Sequence, residues 1–372
     1  MIQGHCLGLL RLSLPVVRPT FDLTTGSLPS GLTLTRASTA TVQTGTTAVT
    51  TGVAVDVARF GRLLDADTTA LIIECARTNL SLSSEAPASA GWFPGSLIVT
   101  TYPDGTAPNG STTTACKHAV TSPGYSRYSQ YSATTGIKYS FSMWHQSPSG
   151  TFTGRWQTGS ATATFSCTTA WARVTGQYTS TGVLFYLTPA ISDTQTMRTW
   201  GHQVEVGDAP SSYIPTTLGA TATRQGERLV ATGTLTANGR LDWNVILRPR
   251  GSSSEYITDG TTVTCWYVDS NNKASWNSTT RLLTITVAGV TNTCTLAAWS
   301  RHDYVRLLIS CGVTATVVKQ RVNSGSVSSL AITGSALAAI NATSMDVLCE
   351  GTTKQWWGYV EQIGFEVPAW AA

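Results

Sequence analysis

The chain has 372 residues, with charged side chains at 12%, a formal net charge of +4, and 12 Trp, 12 Tyr and 8 Phe. That length is enough for two or three domains with cores of their own, and the aromatic content excludes a disordered chain. The small charge, with no block of Lys or Arg, gives no footprint for nucleic acid or an anionic membrane. Charge stands at about half the usual ~25%, and Thr, Ser and Gly fill the gap. This composition suits stacked β-sheets whose surface is partly covered by partners.

The opening MIQGHCLGLLRLSLPVV lacks a basic start and is broken by Arg11, so it is not read as a signal peptide. No stretch approaches the ~20 apolar residues of a membrane span, and a soluble protein made in the cytoplasm is expected. Residues 1–70 read as a lead. Segment 20–56 is dominated by Thr, Ser, Gly and Ala and has little to bury by itself. It is either a flexible tail or an arm that becomes ordered on a neighbouring subunit or larger particle.

The first strong apolar run is LIIECARTNL, 71–80. In 137–145, Ile137, Tyr139, Phe141 and Met143 alternate with Lys138, Ser140 and Ser142, the pattern of a half-buried strand. Further strands are predicted at 152–157, 161–167, 171–178 and 183–188. The domain closes with Trp200 to Val206. The chain then turns and leaves through Ser212-Tyr213-Ile214-Pro215, where Pro215 holds Ile214 out of the helical region. Asn238-Gly239 predicts a hairpin turn. Strands follow at 242–248, 254–258, 262–268, 281–287, 293–298, 303–310, 314–321, 345–350 and 356–367, with one short helix near 336–342. In the last run Trp357, Tyr359, Ile363, Phe365 and Val367 share one parity, and Glu361 interrupts it. Short strands at this spacing predict an all-β protein: two jelly-roll-type β-sandwiches in tandem behind an extended N-terminal arm. The second, 226–372, is similar in pattern to concanavalin and laminin-G sandwiches.

Chemistry is sparsely signposted. The acid pairs Glu205 with Asp208, Glu361 with Glu366, and Asp65 with Asp67 read as surface groups, and no glycosidase signature joins them. His5, His118, His145, His202 and His302 have no metal-ligand spacing. Asp269-Ser-Asn271 begins like a calcium loop, but Lys273 takes the next ligand position, so a turn is expected. The eight cysteines form no CxxC pair. Cys265, Cys311 and Cys349 sit in apolar runs that favour buried thiols. No catalytic residue, cofactor or metal is expected. Tyr125, Tyr128, Tyr131, Trp276 and Trp356 are candidate glycan or partner contacts, with core packing or subunit contact as the alternative. Arg77, Thr78 and Asn79 are candidates to fix a domain corner through hydrogen bonds, and Tyr213 with Pro215 to anchor the exit.

The segments FDLTTGSLPSG (21–31), TLTRASTAT (33–41), ARF (58–60), LIIECARTNL (71–80), WGHQVEVG (200–207) and SYIPTT…TR (212–224) occur in order. In this the chain resembles tailed-bacteriophage virion proteins of the head-spike fibre or tail-fibre-like family. The likeness covers roughly residues 20–225. Ala58 departs from the Pro usual in that family, Cys75 from an acid, and Gln225-Gly226-Glu227 from Ala-Asp. The resemblance implies an attachment lead (1–70), a carbohydrate-binding-like sandwich (71–225) and a variable second sandwich. It implies a non-enzymatic structural protein of the virion, homotrimeric or otherwise homo-oligomeric, held on capsid or tail proteins, with host glycans as possible ligands. The alternatives are a soluble lectin-like protein and, further off, a capsule-degrading glycosidase.

Overall fold

The computed structural model describes residues 18–371 apart from 45–47, 63–68, 87–91, 95–97, 121–123, 126, 159–160, 182–183, 192–194, 208, 250–261, 301–302, 313–314, 335–336, 350–357 and 369–370, and the side chains of some strand residues beside these. The protein is all-β: antiparallel strands throughout, with no α-helix among the described residues.

Two sheets face each other across the larger core. One runs Ser328–Leu330, Val317–Val322, Val305–Cys311, Leu241–Pro249, Gly358–Gly364, Thr69–Ile73, Phe60–Arg62, with Thr20–Asp22 also paired to Gly358–Gly364. The other runs Leu32–Thr35, Arg228–Thr232, Ser344–Val347, Thr262–Asp269, Asn272–Asn277, Leu282–Val287, Val290–Thr295. Alternation explains the core: Leu241, Trp243, Val245 and Leu247 point inward from one sheet, and Leu283, Ile285 and Val287 from the other. A gap of about 10 Å³, lined by Trp243, Trp276 and Trp299 among others, has room for about one water.

The second sandwich stacks a sheet in the order Ala172–Thr179, Lys138–Gln146, Thr196–Val206, Cys116–Val120, Ile98–Thr101. Its companion runs Ala161–Cys167, Phe152–Thr158, Leu184–Ile191, Arg127–Ser132, Trp92–Pro94. Tyr139, Phe141, Met143, Met197 and Val204 pack between them. In Thr196–Val206 an extra residue is taken up at Gly201, whose φ of +66° suits glycine and where a Cβ would strike the Trp144 ring.

The two sandwiches are not consecutive along the chain. The described part of the lead is built into the first-described sandwich through Thr20–Asp22, Leu32–Thr35 and Phe60–Arg62, and is not a free arm. Its Thr- and Ala-rich strands lack a core of their own, but Phe21, Leu23, Leu32 and Leu34 enter the one made with residues 229–365. The sandwich of residues 80–210 is therefore an insertion, and the surrounding one is a composite. Entering and leaving strands pair as a short ribbon, Arg77–Asn79 with Ala222–Arg224, which forms a neck.

Two local expectations also change. Residues 337–342 are not helical: Ile340 N–H bonds Gly239 O (3.0 Å) and Ala342 N–H bonds Thr236 Oγ1 (3.2 Å), so their donors go to the 236–240 turn. The shared parity of Tyr359 and Ile363 fails because a bulge steps from Gln362 to Val360 opposite Ile246 and Leu247. Ile363 faces the large core, while Tyr359 packs on Ala70 and Ile72 on the other face. The predicted strand 254–258 lies outside the described residues.

Candidate functional site at the neck

Five charged side chains meet at the neck, each 0–1% exposed: Arg36, Arg59, Arg224, Glu74 and Glu227. Glu74 ends the apolar strand Thr69–Ile73 on the way out of the composite sandwich, and Glu227 precedes Arg228–Thr232 on the way back. Their backbones are joined, Glu227 N–H to Glu74 O at 3.2 Å.

Arg59 is the centre of the cluster. Its Nε and Nη2 grip Glu227 bidentately, both at 2.8 Å, and Nη2 also reaches Glu74 at 2.9 Å. Its Nη1 donates to Thr41 O (2.9 Å) and Ser212 Oγ (2.6 Å). Arg36 reaches Glu227 (2.7 Å), Ser38 O (2.7 Å) and Ala54 O (2.7 Å). Arg224 reaches Glu74 (2.7 Å), Ser212 Oγ (2.6 Å) and Cys75 O (2.9 Å). Ser212 closes the ring from the exit segment, its N–H and Oγ–H both on the Glu74 carboxylate. Burial pulls the Arg59 guanidinium down, but Glu227 and Glu74 outweigh it and hold the group above its ordinary value. Arg36 has less compensation, and burial leaves it below its ordinary value. Such a cluster is costly to desolvate and very costly to break, since removing one partner strands a buried charge.

The exit is tied down beside it. Glu205 accepts from Ser211 N–H and Oγ–H, each at 2.6 Å, and from Gln203 at 2.7 Å. Asn79 donates to His202 O (3.0 Å) and Ile214 O (2.8 Å) and accepts from the N–H groups of Ser81 and Val204 (3.0 Å each). Arg77 donates to Val206 O, and Thr78 meets Thr223 at 2.8 Å. Tyr213 is buried against Trp144 and Trp200. Its hydroxyl lies 2.6 Å from Ser84 Oγ and donates to Glu85 at 3.3 Å. Burial pushes the Tyr213 hydroxyl and the Glu85 carboxyl up. The hairpin of Ala40–Thr44 and Ala48–Val53 props this side: Thr41 Oγ–H bonds Tyr213 O at 2.5 Å, and Val49 joins the Trp144–Trp200–Tyr213 cluster. A cleft of about 90 Å³ opens beside Arg224, with Ile214 and Pro215 along its wall.

Of the candidate aromatic contacts, Trp276 alone has a described side chain, and it is buried. Trp276 is 1% exposed and packs at 5.0 Å from Trp299, because it alternates inward with Ala274 on its strand. Tyr125, Tyr128 and Tyr131 lie on Gly124–Tyr125 and Arg127–Ser132, with side chains outside the described residues, as is Trp356. Among the acids, Glu361 pairs with Arg248 at 2.9 Å and Glu366 accepts from Thr20 at 3.1 Å, while Asp65, Asp67 and Asp208 lie outside the described residues. His118, His145 and His202 are buried in the inserted sandwich, and His5 and His302 are not described. Asp269 accepts from Asn271 N–H (2.8 Å) and the Asn272 side chain in a turn. The seven described cysteines are buried thiols. Among the described residues no group of three or more His, Cys, Asp or Glu is placed to hold a metal.

The cluster residues Arg36, Arg59, Glu74, Ser212, Arg224 and Glu227 were not singled out from the sequence. The available signal was isolated charge in a weakly charged chain: Glu74 closing an apolar run, Arg59 beside Phe60. Neither a known protein family nor a curated protein matches this chain.

Proposed function

We propose that this is a structural protein of a tailed-bacteriophage virion: a head spike, head fibre or decoration protein, or a tail-associated fibre. In this reading it is a homo-oligomer, acts without catalysis, is attached at its N-terminal end to capsid or tail proteins, and exposes its β-sandwiches for particle stabilisation or host-surface binding. One observation carries the reading. Separated segments that resemble that family converge in space: TLTR supplies Arg36, ARF supplies Arg59, LIIE supplies Glu74, SYIP supplies Ser212 and the final TR supplies Arg224. Such a buried lock maintains a shape, which suits an appendage that must persist outside a cell. The test is mass spectrometry of purified particles together with immunogold labelling against residues 226–372. Label over the head or at the tail is the expected result and assigns the location. Absence of the chain from purified particles overturns the reading.

A further inference from the structure

The outer face of one sheet of the composite sandwich carries two cations with no counter-charge. Val305 and Leu307 enter the core, so Arg306 between them points outward. On the neighbouring strand Val318 and Gln320 are buried, which turns Arg321 outward. Register sets Arg306 directly opposite Arg321, and both are partly exposed. Cβ atoms so placed are about 5 Å apart, and like charges there repel. Neither guanidinium makes a hydrogen bond or an ion pair among the described residues, and the Nε of each is buried without an acceptor. Arg224 also has an unbonded Nε, but both its Nη atoms are bonded. The flanking carboxylates are taken. Glu361 pairs with Arg248 at 2.9 Å, and Asp303 accepts from Ser300 N–H at 2.7 Å and from the Asn323 side chain at 2.8 Å. Tyr304 positions the site: Arg306 lies over its ring at 4.6 Å from the centroid, and Arg248 at 4.7 Å. A guanidinium on a ring is held through its flat face, which leaves its N–H groups to bond in their own plane.

We propose that Arg306 and Arg321 form a binding site for a phosphate-type dianion, with Tyr304 holding Arg306 in place. Charge selects the class. One dianion cancels both unpaired cations, whereas a single carboxylate leaves one of them. Tetrahedral oxygens also accept from two guanidinium forks at once, and they supply the acceptors that the buried Nε groups lack. The group is either inorganic phosphate or a phosphomonoester carried on a sugar, which present the same oxygens. The site does not depend on the virion reading above.

The test is calorimetry of the full chain at pH 8, in chloride and in phosphate at equal ionic strength. Wild type is compared with Arg306→Gln, with Arg321→Gln, and with Lys273→Gln on the opposite sheet as the control. In chloride, Arg321→Gln should melt no lower than wild type, because the repulsion is gone. Phosphate at tenfold above its Kd should raise the melting temperature of wild type and Lys273→Gln by about 3 °C, saturably, and that of the two Arg variants by less. Equilibrium dialysis with labelled phosphate should count one site, absent from the double variant Arg306→Gln/Arg321→Gln. Glucose 6-phosphate displacing the label at lower concentration than phosphate itself supports the site and makes the ligand sugar-borne; displacement at the same concentration supports it as a site for the free ion. An equal rise in wild type and the Arg variants is a general salt effect and overturns the site, as does a phosphate count unchanged in the double variant.

Discussion

The central strand of each sandwich is buried on both faces, and the two are filled differently. In the composite sandwich Leu241–Pro249 turns Leu241, Trp243, Val245 and Leu247 into an apolar core. In the inserted one, Thr196–Val206 is buried from Thr199 to Glu205 yet carries Thr199, His202, Gln203 and Glu205 there. The outer face of that sheet lies under the exit segment and the 40–53 hairpin, so Gln203 and Glu205 are enclosed and hydrogen-bonded there, while His202 packs on Trp92 and Thr199 bonds His118. A core of the first kind fails by cavity formation, and its cost scales with the volume removed. A core of the second kind fails when one partner is lost and the other is left buried without a bond. Hydrophobic burial thus holds the composite body together, and polar pairing fixes how the insertion is seated on it.

The comparison can be broken most severely by deleting residues 1–70. That removes three strands of the composite sandwich, the first two residues of Thr69–Ile73, the 40–53 hairpin, and both Arg36 and Arg59. The expected outcome is loss of its cooperative unfolding transition in calorimetry, with amide protection surviving in 80–210. An intact composite transition would refute the insertion topology. Next in size, Glu227→Ala strands two buried guanidiniums and is expected to cost about 3–5 kcal/mol. Separate melting of the two sandwiches should follow, and a single unchanged transition would remove the neck from the account.

Acid should sharpen the contrast. Burial holds His145 and His202 down at about 4, below the ordinary 6.5. Both stay neutral in the fold while the unfolded chain takes up protons, so stability falls as pH drops from about 6.5 to about 4 and levels off below. Each contributes a loss of roughly 3 kcal/mol across that window. The described histidines all belong to the inserted sandwich. In the composite body Asp242 is desolvated, but Ser310, Arg18 and Arg240 hold its carboxyl below its ordinary value, so its contribution is lost only at lower pH. Hydrogen exchange at pH 7 and pH 4.5 should therefore show the insertion loosening first. Equal loosening would contradict this. The smallest effect is Tyr213→Phe, which removes the hydroxyl shared by Ser84 and Glu85 and should lower stability by about 1–2 kcal/mol. An unchanged melting temperature would show that the anchoring lies in the ring alone.

Much of the β architecture was legible because alternation is a local signal. Ala161–Cys167 lies where its pattern put it, and Leu241–Pro249 within a residue of its predicted ends. What escaped was non-local. Nothing in the Thr-rich stretch around Leu32–Thr35 announces a partner at 228–232, so the lead read as an arm. Asn272–Asn277 was missed because Lys273, Ser275 and Asn277 mask the inward Ala274 and Trp276. The neck cluster was visible only as scattered charges, since its members come from five places between residues 36 and 227.

The pairing of Thr20 with Gly364 has a consequence for synthesis. A ribosome delivers residues 80–225 as a continuous stretch, so the insertion can close as soon as that stretch emerges. The body around it waits for residue 364, with the edges formed by 20–73 unpaired. At 5–20 residues per second that interval is on the order of ten seconds. During it the nascent chain holds a finished insertion beside an unfinished composite sandwich, the state in which trapping by a chaperone or by a neighbouring copy is easiest.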